Sequence, residues 1–186
     1  MLIGVPVKPF GVAKARLAPL LDAGQRAELG IAIAARTVGI AASVADTIVV
    51  TGDPGVGAWA EGLGVRRVAE RPGGLNGAAA AIVEAAGDRP WMVLHADLPR
   101  LTVADLKAAT AALRANRAVL APSWDGGTSL LGGNGSIPFA YGPASFHAHL
   151  HAVPGAQVLV RPGLALDLDT PADYRAWVRW SRAGGA

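Results

Sequence analysis

Trp91-Met92-Val93-Leu94-His95-Ala96-Asp97-Leu98-Pro99 is the stretch on which the rest of the chain turns. Its first four residues are apolar, follow a proline and end at polar neighbours, the pattern of a strand buried on both faces. Open α/β sheets bind ligands in the crevice beyond the carboxyl ends of their strands, and Asp97 falls there. Pro99 stops the strand, and Thr102 is placed to cap a helix over residues 103–114. A carboxylate on a rigid strand end suits Mg²⁺, which takes one or two protein carboxylates and completes its shell with phosphate oxygens and water. An aspartate that only caps a turn is the alternative reading of the same position.

Outward from this strand, the chain alternates. Toward the N-terminus, residues 1–7 read as a first strand ended by Lys8-Pro9, residues 24–43 as a helix, and residues 47–51 as a second strand rich in β-branched side chains. Residues 52–55 read as a turn, 58–63 as a short helix and 65–69 as a third strand. Gly73 to Gly77 then opens an alanine-rich helix reaching Ala86. Toward the C-terminus, residues 118–121 form a fifth strand. Residues 123–136 read as a glycine-rich loop with at most one short hairpin, 143–151 as a helix, and 157–160 and 163–169 as strands. Thr170-Pro171 starts the last helix, with a tail at 183–186 expected to fray. The alternation predicts an α/β fold in one domain, 1–186, with three layers, α/β/α, around a mostly parallel central sheet.

Composition narrows the chemistry. The chain has 186 residues, 52% of them hydrophobic, with many alanines, so the expected core is built from small residues and close helix packing. Zero cysteines exclude disulfides, thiolate catalysis and Cys-ligated zinc. The four histidines are not read as a transition-metal site. The net charge is +3, but the basic residues are scattered and no basic patch interleaves with aromatics. A small anionic substrate explains that excess better than nucleic acid does. No leader pattern opens the chain, and no apolar run approaches the ~18–20 residues of a membrane span, so the expected setting is cytoplasmic, without a membrane partner.

Six stretches bear on the chemistry. Lys8, Lys14 and Arg16 lie beside Gly11 in the loop after the first strand, where they suit a nucleotide triphosphate. The loop is not a Walker A motif, and solvated surface charges are the alternative. Gly55-Val56-Gly57-Ala58-Trp59-Ala60 matches a dinucleotide fingerprint. It follows the second strand instead of the first and lacks the acidic residue about 20 positions on, which argues against a nicotinamide or flavin site. In Gly73-Gly74-Leu75-Asn76-Gly77 the backbone permits close approach and Asn76 can pair with a base edge, although a plain helix start has the same composition.

Leu164-Ala165-Leu166-Asp167-Leu168-Asp169 alternates as a strand would, which puts Asp167 and Asp169 on one face about 6.6–7 Å apart. Like charges so placed repel unless a cation lies between them, so with Asp97 they would form an acidic cluster for one or two Mg²⁺ ions. Asp169 as a cap of the final helix is the alternative. Gly126-Gly127-Thr128-Ser129 and Tyr141-Gly142-Pro143-Ala144-Ser145 each end in hydroxyls beside free backbone N–H groups, a setting for an acceptor's phosphate.

Taken together, Val5-Pro6-Val7-Lys8-Pro9, Ala13-Lys14-Ala15-Arg16-Leu17, Leu75-Asn76-Gly77, Ala96-Asp97-Leu98-Pro99, Gly127-Thr128, Tyr141 to Phe146 and Asp167-Leu168-Asp169-Thr170-Pro171 resemble the guanylyltransferases that activate 2-phospho-L-lactate or phosphoenolpyruvate in biosynthesis of the deazaflavin coenzyme F-420. The resemblance implies a nucleotide-diphospho-sugar transferase fold, related to the GT-A glycosyltransferases and the molybdenum-cofactor guanylyltransferases. It implies that Lys8, Lys14 and Arg16 meet the GTP phosphates, with Leu75, Asn76 and Gly77 at the nucleotide. Asp97, Lys14 and Arg16 would be the catalytic set, Asp97, Asp167 and Asp169 the Mg²⁺ ligands, and Thr128, Gly142 and Ser145 the holders of the acceptor phosphate.

The implied reaction transfers GMP from GTP to a three-carbon phospho-acid and releases pyrophosphate, and the product would pass to a downstream transferase. No protein base is named, and His95 is read as structural. Ser129 stands where the family pattern expects asparagine, and Ala144 where glycine is usual. A sugar-phosphate or molybdopterin nucleotidyltransferase is the second reading, against which stands the lack of a Gly-Gly loop after the first strand. A non-enzymatic GTP sensor is the third.

Overall fold

Alternating side chains on the strands at the centre of the sheet face two separate helical layers. In the computed structural model, which describes residues 1–183, β1 (Leu2–Pro6) sends Ile3 and Val5 to one side and Leu2 to the other. The chain continues through a 3₁₀ turn (Ala15–Leu17), α1 (Ala23–Ala42), β2 (Asp46–Thr51), α2 (Pro54–Gly62), β3 (Arg66–Ala69), α3 (Leu75–Ala86) and β4 (Trp91–Leu94). It ends with α4 (Val103–Ala115), β5 (Ala118–Pro122), β6 (Thr128–Gly133), α5 (Ser145–Ala152), β7 (Gln157–Val158), α6 (Pro162–Ala165) and α7 (Pro171–Arg182). Residues 184–186 of the expected tail lie outside the described residues.

The strand order is β3-β2-β1-β4-β6-β5-β7, with every pairing parallel except the two that β6 makes. Ile3, Val5, Val49, Met92 and Leu94 pack under Val38 of α1, Val56 of α2 and Leu106 of α4. Leu2, Ile48, Val50, Trp91 and Val93 pack under the alanines and Ile82 of α3. This is the expected three-layer α/β/α arrangement. Gly4 shows how tightly the second layer sits: a Cβ there would run into the Ile82 side chain. Asp22, Thr102 and Thr170 each cap the helix that follows in a reciprocal capping box. Among the described residues no helix is long and apolar enough to cross a membrane.

Two sequence-based expectations fail. Residues 123–136 contain β6, a fully buried antiparallel strand in the middle of the sheet. Its apolar core is only Leu130-Leu131, because Gly132 and Gly133 give their space to neighbours. A Cβ on Gly133 would lie 2.9 Å from the Trp91 ring, and one on Gly132 2.9 Å from the Val119 side chain. Residues 163–169 are not a strand either. Pro162 starts the short α6, and Leu164, Ala165, Leu166 and Leu168 are all buried, so the alternation of faces is lost.

The Gly55–Ala60 fingerprint is also ordinary structure. It lies within α2, capped by Asp53, with Gly57 packed against Arg67.

Candidate active site

Two cavities open beyond the carboxyl ends of β1 and β4 and share a wall made by Leu75 and His95. The first, about 420 Å³, takes in Lys8, Lys14, Arg16, Leu75, Asp97 and Asp169. The second, about 320 Å³, takes in Asn76, Thr128, Gly142, Ser145 and Asp167. Both fall within the size range of small-molecule sites. Of the residues expected at the site, Gly77 alone lines neither. It lies against the Arg71 and Pro72 carbonyls, where a Cβ has no room.

The first cavity is built by the loop after β1. Lys14 adopts left-handed backbone, φ 58°, and carries its ammonium to Asp97 Oδ2 at 2.8 Å, with the lysine side chain only 8% exposed. A lysine held in this sparsely populated region is strained backbone in the cavity lining. Burial by itself would raise the Asp97 carboxyl, but the Lys14 ammonium and His95 hold it below its ordinary value. Asp97 Oδ1 is buried with no hydrogen-bond partner among the described residues. Arg16 reaches Asp169 at 3.0 Å in an exposed pair, which contributes little to stability.

The second cavity has a different lining. Asn76 spends its amide on Tyr141, donating from Nδ2 to the Tyr141 carbonyl at 3.2 Å and accepting the Tyr141 N–H at 2.9 Å. That leaves no amide edge for a base, so Asn76 clamps the loop before α5 instead. Thr128 and Ser145 are buried at the floor. Ala144 has left-handed backbone, φ 54°, the region glycine favours. Ser129 points to the Ala121 carbonyl at 3.2 Å and lines neither cavity, so its identity does not shape the pocket.

The three aspartates do not gather on one face. Asp169 is drawn toward Arg16 in the first cavity, while Asp167 lines the second. Among the described residues no group of three His, Cys, Asp or Glu side chains is arranged to hold a metal. His147 and His151, four apart on α5, gain no third donor. Asp97 and Asp167 nevertheless feel each other. Burial first, then the charges of Asp97 and Asp125, push the Asp167 carboxyl up to about 7. Two crowded carboxyls, one with an unpartnered buried oxygen, form a hard-oxygen donor set that a divalent cation fits.

Sequence reasoning missed three groups. His95 lines both cavities with its Nε2 buried and unpartnered, and burial lowers its basicity despite the pull of Asp97. Tyr141 lines the second cavity with a buried, unpartnered hydroxyl whose ionisation burial suppresses. Asp125 accepts from the Ser123 hydroxyl and the Gly127 N–H at the rim. Leu168 donates its N–H to the Asp97 carbonyl at 3.0 Å, so the segment after α6 is tied to the end of β4.

Comparison with known proteins gives the family and the fold. Residues 1–173 match the family model described as "Guanylyl transferase CofC like". A phosphoenolpyruvate guanylyltransferase of Geodermatophilus obscurus is 41% identical over 184 residues, covering 92% of this chain and 85% of that protein. Among solved structures, a putative nucleotide-diphospho-sugar transferase from Desulfovibrio desulfuricans G20 superposes with a TM-score of 0.81 at 18% identity, covering 97% of this chain and 87% of its own. Rv0371C of Mycobacterium tuberculosis H37Rv, in complex with manganese, gives a TM-score of 0.57 at 17% identity over 96% of this chain and 98% of its own. At those identities the structures speak for the fold alone.

Proposed function

Because the chain belongs to the CofC-like guanylyl transferase family, we propose that it transfers GMP from GTP to the phosphate of phosphoenolpyruvate, releasing pyrophosphate, within coenzyme F-420 biosynthesis. The same reading admits 2-phospho-L-lactate as acceptor. The observation that carries it is the pair of adjoining cavities with Asp97 on one side, Asp167 on the other and a field between them. Such a division lets two anionic substrates bind at once and meet at the wall between the cavities.

In this reading GTP lies in the first cavity, with Lys8, Lys14 and Arg16 against its phosphates and Leu75 beside the nucleoside. Thr128, Gly142 and Ser145 hold the acceptor's anionic end in the second. An acceptor phosphate oxygen attacks the α-phosphorus in line as the bond to the β-phosphate oxygen breaks and pyrophosphate leaves. A phosphate monoester loses its second proton with a pKa near 6, so no protein base is needed. Positioning and charge neutralisation then account for the rate.

Asp97 and Asp167 would hold Mg²⁺, which when bound neutralises phosphate charge and polarises the reacting phosphoryl group. Asp169 stays with Arg16. The product carries a new phosphoanhydride, which a downstream transferase would consume.

The test is pyrophosphate release with Mg²⁺, crossing GTP, ATP and CTP against phosphoenolpyruvate, both phospholactate enantiomers, 3-phosphoglycerate and sugar 1-phosphates. Release with GTP and one three-carbon acid is expected. Release with sugar phosphates only would make the protein another nucleotidyltransferase of this fold. GTP binding without release would make it a sensor.

A further inference from the structure

The floor of the second cavity is wired to a histidine that never reaches it. His149 is fully buried on α5, one helical turn after Ser145. Its Nε2 lies 2.8 Å from the Ala140 backbone nitrogen. A backbone N–H can only donate, so Nε2 must accept, and the ring proton must be on Nδ1. Nδ1 in turn lies 2.9 Å from Thr128 Oγ1, so it donates and the threonine oxygen accepts. The Ser145 hydroxyl donates to the same oxygen at 3.3 Å. Both lone pairs of Thr128 Oγ1 are then filled, and its own hydrogen is the one hydrogen-bonding element left for a ligand. Burial, with a smaller contribution from His95, keeps the His149 ring neutral, and the Tyr141 ring packs edge-on against it at 4.7 Å.

The sign of this wiring matters. With the proton on Nε2, Nδ1 would accept the Thr128 hydrogen and the hydroxyl would show an anion only lone pairs. We propose that His149 is a positioning residue that fixes the Thr128 hydroxyl as a donor toward an anionic oxygen of the acceptor, through the relay Ala140 N–H to His149 Nε2, His149 Nδ1–H to Thr128 Oγ1, and Thr128 O–H to substrate. This deepens the function proposed above and rests on it. The ligand class is an acid whose oxygen accepts a hydrogen bond, so the relay acts on acceptor affinity and leaves the nucleotide untouched.

Two isosteric halves of histidine separate this role from simple core packing. His149→Gln places an amide oxygen where Nε2 was and keeps the acceptor for Ala140, but loses the donor to Thr128. His149→Asn places an amide nitrogen where Nδ1 was and keeps the donor. With GTP saturating, His149→Gln and Thr128→Ala should each raise the acceptor KM about 10- to 100-fold, the loss of one hydrogen bond to a charged group. The KM for GTP should stay within about twofold, and His149→Asn should stay within about threefold of the parent acceptor KM. The double variant Thr128→Ala/His149→Gln should be no worse than Thr128→Ala.

A normal acceptor KM in His149→Gln, equal rises for both substrates, or additive losses would overturn the proposal. Nitrogen-15 NMR of the substrate-free parent protein gives a readout independent of turnover. It should show His149 protonated on Nδ1, and an Nε2–H tautomer overturns the relay whatever the kinetics. A parent protein inactive with every acceptor defeats the proposed function itself, whereas an active parent with an indifferent His149→Gln defeats only the relay.

Discussion

Replacing Asp167 by asparagine should make the metal-free protein more stable at alkaline pH, the reverse of what most substitutions of a half-buried residue do. In the folded chain burial and the charges of Asp97 and Asp125 carry the Asp167 carboxyl from 3.8 to about 7. The unfolded chain gives up that proton near pH 4, and the folded chain holds it until about pH 7. Between those values the native state binds the extra proton, so stability falls as pH rises and the whole penalty is present above pH 7. A displacement of roughly three pH units corresponds to about 4 kcal/mol. The side chain keeps some contact with water, which screens its neighbours and brings the expected penalty to about 1–2 kcal/mol.

Asparagine preserves shape and removes the charge. Urea unfolding in EDTA should therefore give nearly equal stabilities for parent and Asp167→Asn at pH 4.5, with the variant ahead by about 1–2 kcal/mol at pH 8. Adding Mg²⁺ and GTP at pH 8 should close that gap, because ligands that bind the native parent raise its stability. Equal stabilities in EDTA at pH 8 would refute the reasoning, since burial and the Asp97 and Asp125 charges would then not be raising the Asp167 carboxyl.

Three further outcomes are expected. Lys14→Met leaves the Asp97 carboxylate without its 2.8 Å partner; kcat/KM for GTP should fall by about 100-fold or more, read by pyrophosphate release. The same variant should lose about 1–3 kcal/mol in urea unfolding. Asn76→Ala removes both hydrogen bonds to the Tyr141 main chain. Its acceptor KM should rise about 5- to 30-fold in steady-state kinetics, at about 1 kcal/mol per bond, with little change for GTP. Ala144→Gly relieves left-handed backbone at φ 54°, and after glycine's larger unfolded-state entropy it should gain about 0.5–1 kcal/mol, a Tm rise of roughly 1–4 °C by calorimetry.

What could be read from sequence is what local patterns encode. The parallel half of the sheet announced itself through apolar β-branched runs, and Thr102 and Thr170 were recognisable caps because a capping box lies within four residues. β6 was illegible because its evidence is distributed: Gly132 and Gly133 are strand residues only because Trp91 and Val119 fill the space above them. The 163–169 segment failed for the opposite reason. Its leucines alternate, but burial on all sides produced that spacing, not a pleat.

The site divides along the same line. That Lys14 and Asp97 belong near strand ends follows from sequence order and the rule for open sheets, whereas Thr128 and Asp167 lie on the two segments whose patterns misled, β6 and residues 163–169. Which side of the wall each one occupies depends on pairs as distant as Asn76 and Tyr141, which no local window contains. One signal was available and unused: Ser145 and His149 stand four apart, so any helix there must put them on one face. With Ser145 expected to hold the acceptor phosphate, the histidine one turn behind it is the natural candidate to orient its surroundings. Small hydroxyls at anion sites depend on a neighbour to decide whether they donate or accept. A search of helical sequence for functional hydroxyls should therefore look one turn further along for a group with both a donor and an acceptor.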